Sequence, residues 1–122
     1  MNKVVLLALA LFMSVLSNPA VAGVCWDCKI ESMSSGVGAV CNGTESCVLI
    51  RLIRGIHAFN PASCSTSPNW HFVLDTATPA GRTLYAQLLI AQQTKQPFAF
   101  LGSGSCTLSA GSENLIRGYN PW

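Results

Sequence analysis

The sequence predicts a small α+β domain in which an antiparallel sheet or partial barrel packs against one main helix and is stapled by disulfides. Three observations lead to this prediction. The chain contains six cysteines, short runs rich in β-branched and aromatic residues alternate with turn signals, and one segment, about residues 79–95, has the apolar spacing of a helix. Strands on both sides of a single helix are typical of α+β domains.

Residues 1–22 have the anatomy of a secretory signal peptide. Lys3 supplies a positive charge, the run from Val4 to Leu16 is almost wholly apolar, and Ala20-Val21-Ala22 is a small-x-small cleavage site. The run is shorter than the roughly 20 apolar residues that a membrane-spanning helix needs. We therefore expect a secreted or periplasmic protein, without membrane association after cleavage, whose single disulfide-bonded domain comprises residues 23–122.

All the cysteines lie in this predicted mature part, and their number is even. In a short exported chain this indicates a disulfide framework. Six cysteines can pair in many ways, so their spacing alone leaves the connectivity open. The six are Cys25, Cys28, Cys41, Cys47, Cys64 and Cys106.

The motif Cys25-Trp26-Asp27-Cys28 admits structural disulfides, a redox pair, a lipid anchor or a zinc site. A zinc site requires further ligands, whereas His57 and His71 are isolated. A redox pair requires a thiolate stabilised by a helix N-terminus, and Val24 stands where a lipidated cysteine needs a small residue. If residues 25–30 form a strand, the two sulfurs point to opposite faces, and we expect them to pair with different partners.

Strand signals precede the predicted helix. The Asn42-Gly43 pair predicts a turn, and the β-branched, apolar run from Cys47 to Ile53 predicts a largely buried strand. Residues 70–75 alternate and predict another strand. Three of its side chains are expected on one face: Trp70, Phe72 and Leu74.

The helix has clear signals at both ends. Thr78-Pro79 supplies an N-cap oxygen and a proline at the first helical position, and Pro97 ends the segment. Short strands are expected afterwards at 98–101 and 114–119, separated by a glycine-rich turn. The apolar face of the helix is formed by Leu84, Leu88 and Ala91.

Charge and motifs argue against several functions. The net charge is only +2, and no basic block is present that would bind nucleic acid. His57, His71 and Asp75 are the candidate general acid–base residues. His71 and Asp75 share a predicted strand face but lie roughly 13 Å apart on an extended chain, and no serine stands in a nucleophile-elbow pattern. The sequence thus favours a protein without catalytic residues, cofactor or metal over an enzyme.

Aromatic residues are the best candidates for ligand contacts. Exposed aromatic rings stack on sugars, and neutral Asn, Ser and Gln side chains donate hydrogen bonds to hydroxyl groups. The aromatic candidates are Trp26, Trp70, Tyr119 and Trp122. The sequence predicts Trp70, Tyr119 and Trp122 as ligand-binding residues, although alternation with Phe72 and Leu74 favours a place in the core for Trp70. A glycan or a protein surface is the expected partner, and self-association is compatible with the same residues.

The span from Cys64 to Tyr119 consists of a cysteine loop, the segment FVLDTATPAGRTLYAQLLIAQQTKQPFAFLGSGSC and a short closing strand. It resembles a group of small exported bacterial proteins of unknown role. They share a strand ending in L-D, a GR-x-LYA-x-LL-x-A helix, a strand and G-x-G-x-C. The layout is also similar to the OB-like B subunits of pentameric toxins of the subtilase and typhoid type, whose B ring binds host glycans. The resemblance implies an OB-like sheet or partial barrel, carbohydrate binding, and a disulfide between Cys64 and Cys106.

Three functional hypotheses follow from the sequence. The first is an exported, non-enzymatic binding module that recognises a glycan or a protein surface. The second is an exported thiol-disulfide oxidoreductase that uses Cys25 and Cys28. The third is a structural or assembly component.

Overall fold

A computed structural model describes residues 21–43, 46–53 and 59–120; most of the predicted signal peptide lies outside these ranges. Within them, one helix and five strands confirm the predicted α+β class. A short 3-10 helix also precedes the second strand. The elements are β1 (Val24–Gly36), the 3-10 helix (Gly38–Cys41), β2 (Cys47–Ile53), β3 (Phe72–Asp75), α1 (Pro79–Thr94), β4 (Phe98–Gly102) and β5 (Glu113–Tyr119).

The five strands close into a barrel in the order β1-β2-β3-β5-β4, with β4 pairing back onto β1. All neighbours are antiparallel except β3 and β5, which run parallel. The helix connects β3 to β4. Closure leaves each strand with two neighbours, and this arrangement is compatible with the OB-like form that the resemblance implies.

β1 is longer than the predicted strand at 25–30 because it serves two neighbours. Its first part, from Val24 to Cys28, pairs with β4, whereas its second part, from Lys29 to Gly36, pairs with β2. The register shifts between Cys25 and Cys28 and again after Ile30. Such bulges bend a strand and increase its twist, which lets one strand pass from one side of the barrel to the next.

The barrel interior is the hydrophobic core. Phe72 and Phe100 stack at its centre with ring centroids 5.9 Å apart, and both side chains are fully buried. The helix covers this core with Leu88 and Ala91 and packs Leu84 against it, so the predicted apolar face of the helix is confirmed.

The helix begins and ends as its sequence signals predict. The Thr78 hydroxyl oxygen accepts a hydrogen bond from the Gly81 N–H at 3.0 Å, and Pro79 occupies the first helical turn. At the other end, Lys95 follows the last helical residue in the left-handed conformation (φ 58°). The predicted range of 79–95 therefore agrees with the observed helix to within one residue.

Trp70 does not share a face with Phe72 and Leu74, so that prediction is wrong. β3 begins only at Phe72, and the alternation of side chains holds only within a strand. Phe72 and Leu74 enter the main core. Trp70 packs instead against a smaller cluster outside the barrel interior, which contains Cys41, Cys47, Leu49 and Val73.

All six cysteines are paired in three disulfides. Cys64 is bonded to Cys106, as the resemblance implied. Cys41 is bonded to Cys47 and closes the connection between β1 and β2.

The expectation that Cys25 and Cys28 pair with different partners is wrong, because they are bonded to each other. In a regular strand, residues three apart face opposite sides. The bulge between them adds one residue to β1. Both side chains consequently point into the core, with Cα atoms 5.9 Å apart, which is a normal separation for a disulfide.

Candidate functional site

An aromatic cluster lies on the outside of the barrel where β1, β4 and β5 are neighbours. We define it by Trp26, Arg117 and Tyr119. The rings of Trp26 and Tyr119 meet edge to face with centroids 6.4 Å apart and planes inclined by 73°. The Arg117 guanidinium carbon lies 5.2 Å from the centre of the Tyr119 ring, a cation–π distance.

Trp26 is the exposed member of this aromatic cluster. Its neighbours Cys25 and Asp27 point into the protein, so the alternation of β1 turns the indole outward. The side chain remains 49% exposed although it contacts Tyr119. A large ring held by one edge contact and open to solvent is a ready stacking surface.

A pocket of about 360 Å³ adjoins the aromatic cluster through Tyr119. It lies between the second half of the helix and the adjacent ends of β4 and β5. The described side chains that line it are neutral and include both apolar groups and amide or hydroxyl groups. They belong to Gln87, Ile90, Ala91, Thr94, Gln96, Phe98, Tyr119 and Asn120.

A second groove of about 500 Å³ runs beside the first half of the helix. It shares Gln87 with the pocket, so the two depressions follow the same side of the helix. Asp75 and Arg117 give this groove charged groups, whereas the described residues of the pocket are neutral. The Asp75 carboxylate accepts a hydrogen bond from the Ala77 N–H at 2.9 Å, which fixes the chain that leads into the helix.

The most deeply buried ionisable group described is Glu113, at the start of β5. Its side chain is 0% exposed. Its Oε2 accepts hydrogen bonds from the backbone N–H groups of Gly23 at 2.9 Å and Gly104 at 2.8 Å. Glu113 is therefore tied to the segment before β1 and to the loop after β4.

The structure does not bring the predicted ligand-binding residues together. The Trp70 carbonyl accepts a hydrogen bond from the Ser112 hydroxyl, immediately before β5, whereas Tyr119 is the last residue of β5. The length of this strand separates them by about 20 Å. Tyr119 lies in the aromatic cluster, Trp70 packs on the small outer cluster, and Trp122 lies outside the described residues.

The candidate acid–base residues have structural contacts. His71 Nδ1 accepts a hydrogen bond from the Leu52 N–H at 3.0 Å, and its ring packs edge-on against Phe59. His57 lies outside the described ranges. Among residues 21–43, 46–53 and 59–120, no three His, Cys, Asp or Glu side chains are grouped so that they could hold a metal ion.

The sequence prediction of the site considers Trp26 as an aromatic candidate but does not retain it as a ligand-binding residue, and it omits Arg117, Gln96 and Asn120. Trp26 carried a usable signal, because it stands between two residues that a strand would turn to the opposite face. Arg117 also carried one, because it stands two residues before Tyr119 in the predicted strand at 114–119 and therefore shares its face. Gln96 and Asn120 carried none. Their proximity depends on β4 and β5 pairing with each other and on the helix packing beside them, and neither relationship is encoded in local spacing.

No protein-family model matches this chain, and no curated protein or solved structure shows significant similarity to it. The structure defines a disulfide-stabilised α+β barrel that carries an aromatic cluster with an exposed indole beside a pocket. Within the part of the chain that the structure describes, no helix combines the length and hydropathy needed to cross a membrane.

Proposed function

We propose that this chain is an exported, non-enzymatic module that binds a carbohydrate through the aromatic cluster and the adjoining pocket. The observation that carries the proposal is the exposed indole of Trp26, held edge-on by Tyr119 at the border of a pocket. Sugar rings present apolar C–H faces and hydroxyl edges. An aromatic face beside neutral hydrogen-bonding side chains complements both.

The neutrality of the pocket supports a carbohydrate over a charged ligand. Gln87, Gln96 and Asn120 each carry both a donor and an acceptor, which suits hydroxyl groups that also do both. Thr94 adds a hydroxyl, while Phe98 supplies an apolar base. Among the described residues that line this pocket there is no Asp, Glu, Lys or Arg, so a ligand would not have to displace the hydration of a full charge there.

Three disulfides support the exported location, because such bonds persist in oxidising compartments. The predicted cleavage after Ala22 would release the barrel just before β1, which begins at Val24. The test is to express the full chain in a bacterial host and determine the intact mass of the exported product. A chain that stays in the cytoplasm with residues 1–22 attached contradicts this part of the proposal.

A glycan array probed with the exported, oxidised protein tests the ligand. We expect binding to specific glycans that disappears in Trp26→Ala. Binding should persist in Trp70→Phe, a control substitution near the opposite end of β5 from the aromatic cluster. Circular dichroism establishes that both variants are folded. A blank array with folded protein contradicts carbohydrate binding and leaves a protein surface as the ligand, and loss of the hits in Trp70→Phe alone contradicts the position of the site.

A thiol-disulfide oxidoreductase is the second candidate, favoured by the bond between Cys25 and Cys28, which is the pairing of an oxidised C-x-x-C centre. Two observations weigh against it. Both residues are 0% exposed, and they lie on a strand, whereas reactive cysteines lie in exposed, electropositive places such as helix N-termini. Turnover of a disulfide substrate that is abolished in Cys25→Ser would establish this function instead.

A further inference from the structure

We propose that Glu113 is the binding site for the chain's own amino terminus. In this inference, which rests on the proposed export and cleavage after Ala22, the new α-ammonium group of Gly23 forms a buried ion pair with the Glu113 carboxylate. Cleavage after Ala22 would thus separate the domain from the signal peptide and also supply the cation of this ion pair.

The geometry for this pair is already present. The nitrogen of Gly23 lies 2.9 Å from Glu113 Oε2 and donates its single amide hydrogen to it. Gly23 is held on its other side, because its carbonyl accepts a hydrogen bond from the Gly102 N–H at 2.9 Å. The next residue, Val24, exchanges two backbone hydrogen bonds with Asn60. The nitrogen at which the predicted cleavage occurs is therefore fixed against the carboxylate.

No cationic side chain of the described residues pairs with the Glu113 carboxylate. Among the described residues, the only ion pair joins Arg51 to Glu31, and no hydrogen-bond donor reaches Glu113 Oε1. A buried carboxylate that has neither a counter-ion nor a full set of donors is costly. Cleavage would change the nitrogen of Gly23 from a neutral group with one N–H into a cation with three, on the atom that already touches the carboxylate.

Gly23 and Gly102 lie so close to the Glu113 carboxylate that a side chain at either position would overlap it. A Cβ atom at Gly23 would overlap Glu113 Oε1, and a Cβ atom at Gly102 would overlap both carboxylate oxygens. No other residue fits at either position without moving the carboxylate. The glycine directly after the predicted Ala20-Val21-Ala22 cleavage site therefore meets a steric requirement of the folded protein.

The uncleaved chain can reach the same fold. Ala22 is half-buried and Val21 is 71% exposed, so the backbone before Gly23 leads outward to solvent. A chain that retains preceding residues keeps the Gly23 N–H hydrogen bond and loses only the charge and the additional donors. This difference can be measured.

The experiment inserts one serine between Ala22 and Gly23 in the full chain, which preserves the cleavage site and makes the mature protein one residue longer. The insertion and Glu113→Gln are combined in a double-mutant cycle. Intact mass first establishes each amino terminus. An amino terminus other than Gly23 in the wild-type product overturns the predicted cleavage site and the inference together, whereas an empty glycan array bears on ligand binding alone.

We expect the insertion to raise the unfolding equilibrium constant about tenfold or more when Glu113 is present, and to have little effect in Glu113→Gln. Equal effects in both backgrounds, or none in either, would overturn the ion pair.

Acylation of the α-amino group provides a second readout that needs no substitution at Glu113. We expect reaction at Gly23 to be about tenfold slower in the folded wild type than in urea, and equal rates would contradict the inference.

Discussion

Trp26 and Tyr119 lie near opposite ends of the described chain, and their rings meet edge to face with centroids 6.4 Å apart. β4 lies between their strands, because Phe100 pairs with Cys25 on one side and with Gly118 on the other. Closure of the barrel thus creates an aromatic surface that neither strand forms alone. A surface fixed in advance lowers the entropy cost of binding a ligand.

The first prediction tests this ring contact. Tyr119→Ala removes the edge that holds the Trp26 indole in place, and we expect carbohydrate affinity to fall by about tenfold, since aromatic pairs contribute about 0.5–1.5 kcal/mol beyond burial and the ligand also loses contact with Tyr119. Tyr119→Phe keeps the ring and is the matched control, with affinity expected within about threefold of wild type. Isothermal titration measures both. An equal loss in the two variants would mean that the hydroxyl, rather than the ring, supports binding.

The helix is the element that the sequence predicts best, because its signals are local. Thr78 and Pro79 define its start, Pro97 limits its end, and the stripe that includes Leu88 gives its buried face. Each signal acts within a few residues, so its meaning does not depend on which strands are neighbours. The strand at Cys47–Ile53 is predictable for the same reason, since a run of β-branched and apolar residues needs no partner to be recognised.

Features that depend on tertiary pairing are not predictable from spacing. The bond between Cys25 and Cys28 requires a bulge, and a regular strand would have separated the two sulfurs. Trp70 lies outside its strand by two residues, which moves it from the core to the outer cluster. Glu113 looks like an ordinary surface carboxylate in the sequence, and its burial depends on hydrogen bonds from Gly104 in the β4–β5 connection and from Gly23 before β1.

The second prediction concerns Gly81, in the first turn of the helix. In an ordinary exposed helix position, replacing glycine with alanine stabilises by up to about 1 kcal/mol. Here the added Cβ atom would overlap the Asp75 carbonyl oxygen, so we expect Gly81→Ala to destabilise by about 1–3 kcal/mol. Urea denaturation measures the free energy of unfolding. Gln93→Ala, at an exposed helix position, is the control and should change it by less than about 0.5 kcal/mol; a stabilised Gly81→Ala variant would contradict the close packing.

The third prediction concerns the disulfide between Cys64 and Cys106, which joins residues 42 apart. Removing it in Cys64→Ala/Cys106→Ala frees a long loop in the unfolded chain, and we expect a loss of about 2–4 kcal/mol in the free energy of unfolding. Chemical denaturation with and without reductant measures the effect. The gap between wild type and variant should shrink in reductant, because the bond is then lost from both. A gap that persists after complete reduction would assign the loss to packing instead.

The last prediction distinguishes structural from reactive sulfur. Cys25 and Cys28 are 0% exposed within the core, whereas Cys64 and Cys106 are half-buried near the surface. Reduction requires a thiolate to reach a sulfur atom, so accessibility controls its rate. In the native protein we expect dithiothreitol to open Cys64–Cys106 first and Cys25–Cys28 at least about tenfold more slowly.

Differential alkylation followed by peptide mass spectrometry measures the order of opening, with urea-unfolded protein as the control in which the difference should largely disappear. If Cys25–Cys28 opens first under native conditions, its sulfurs are accessible to thiols, and the oxidoreductase would replace the binding module as the better functional assignment.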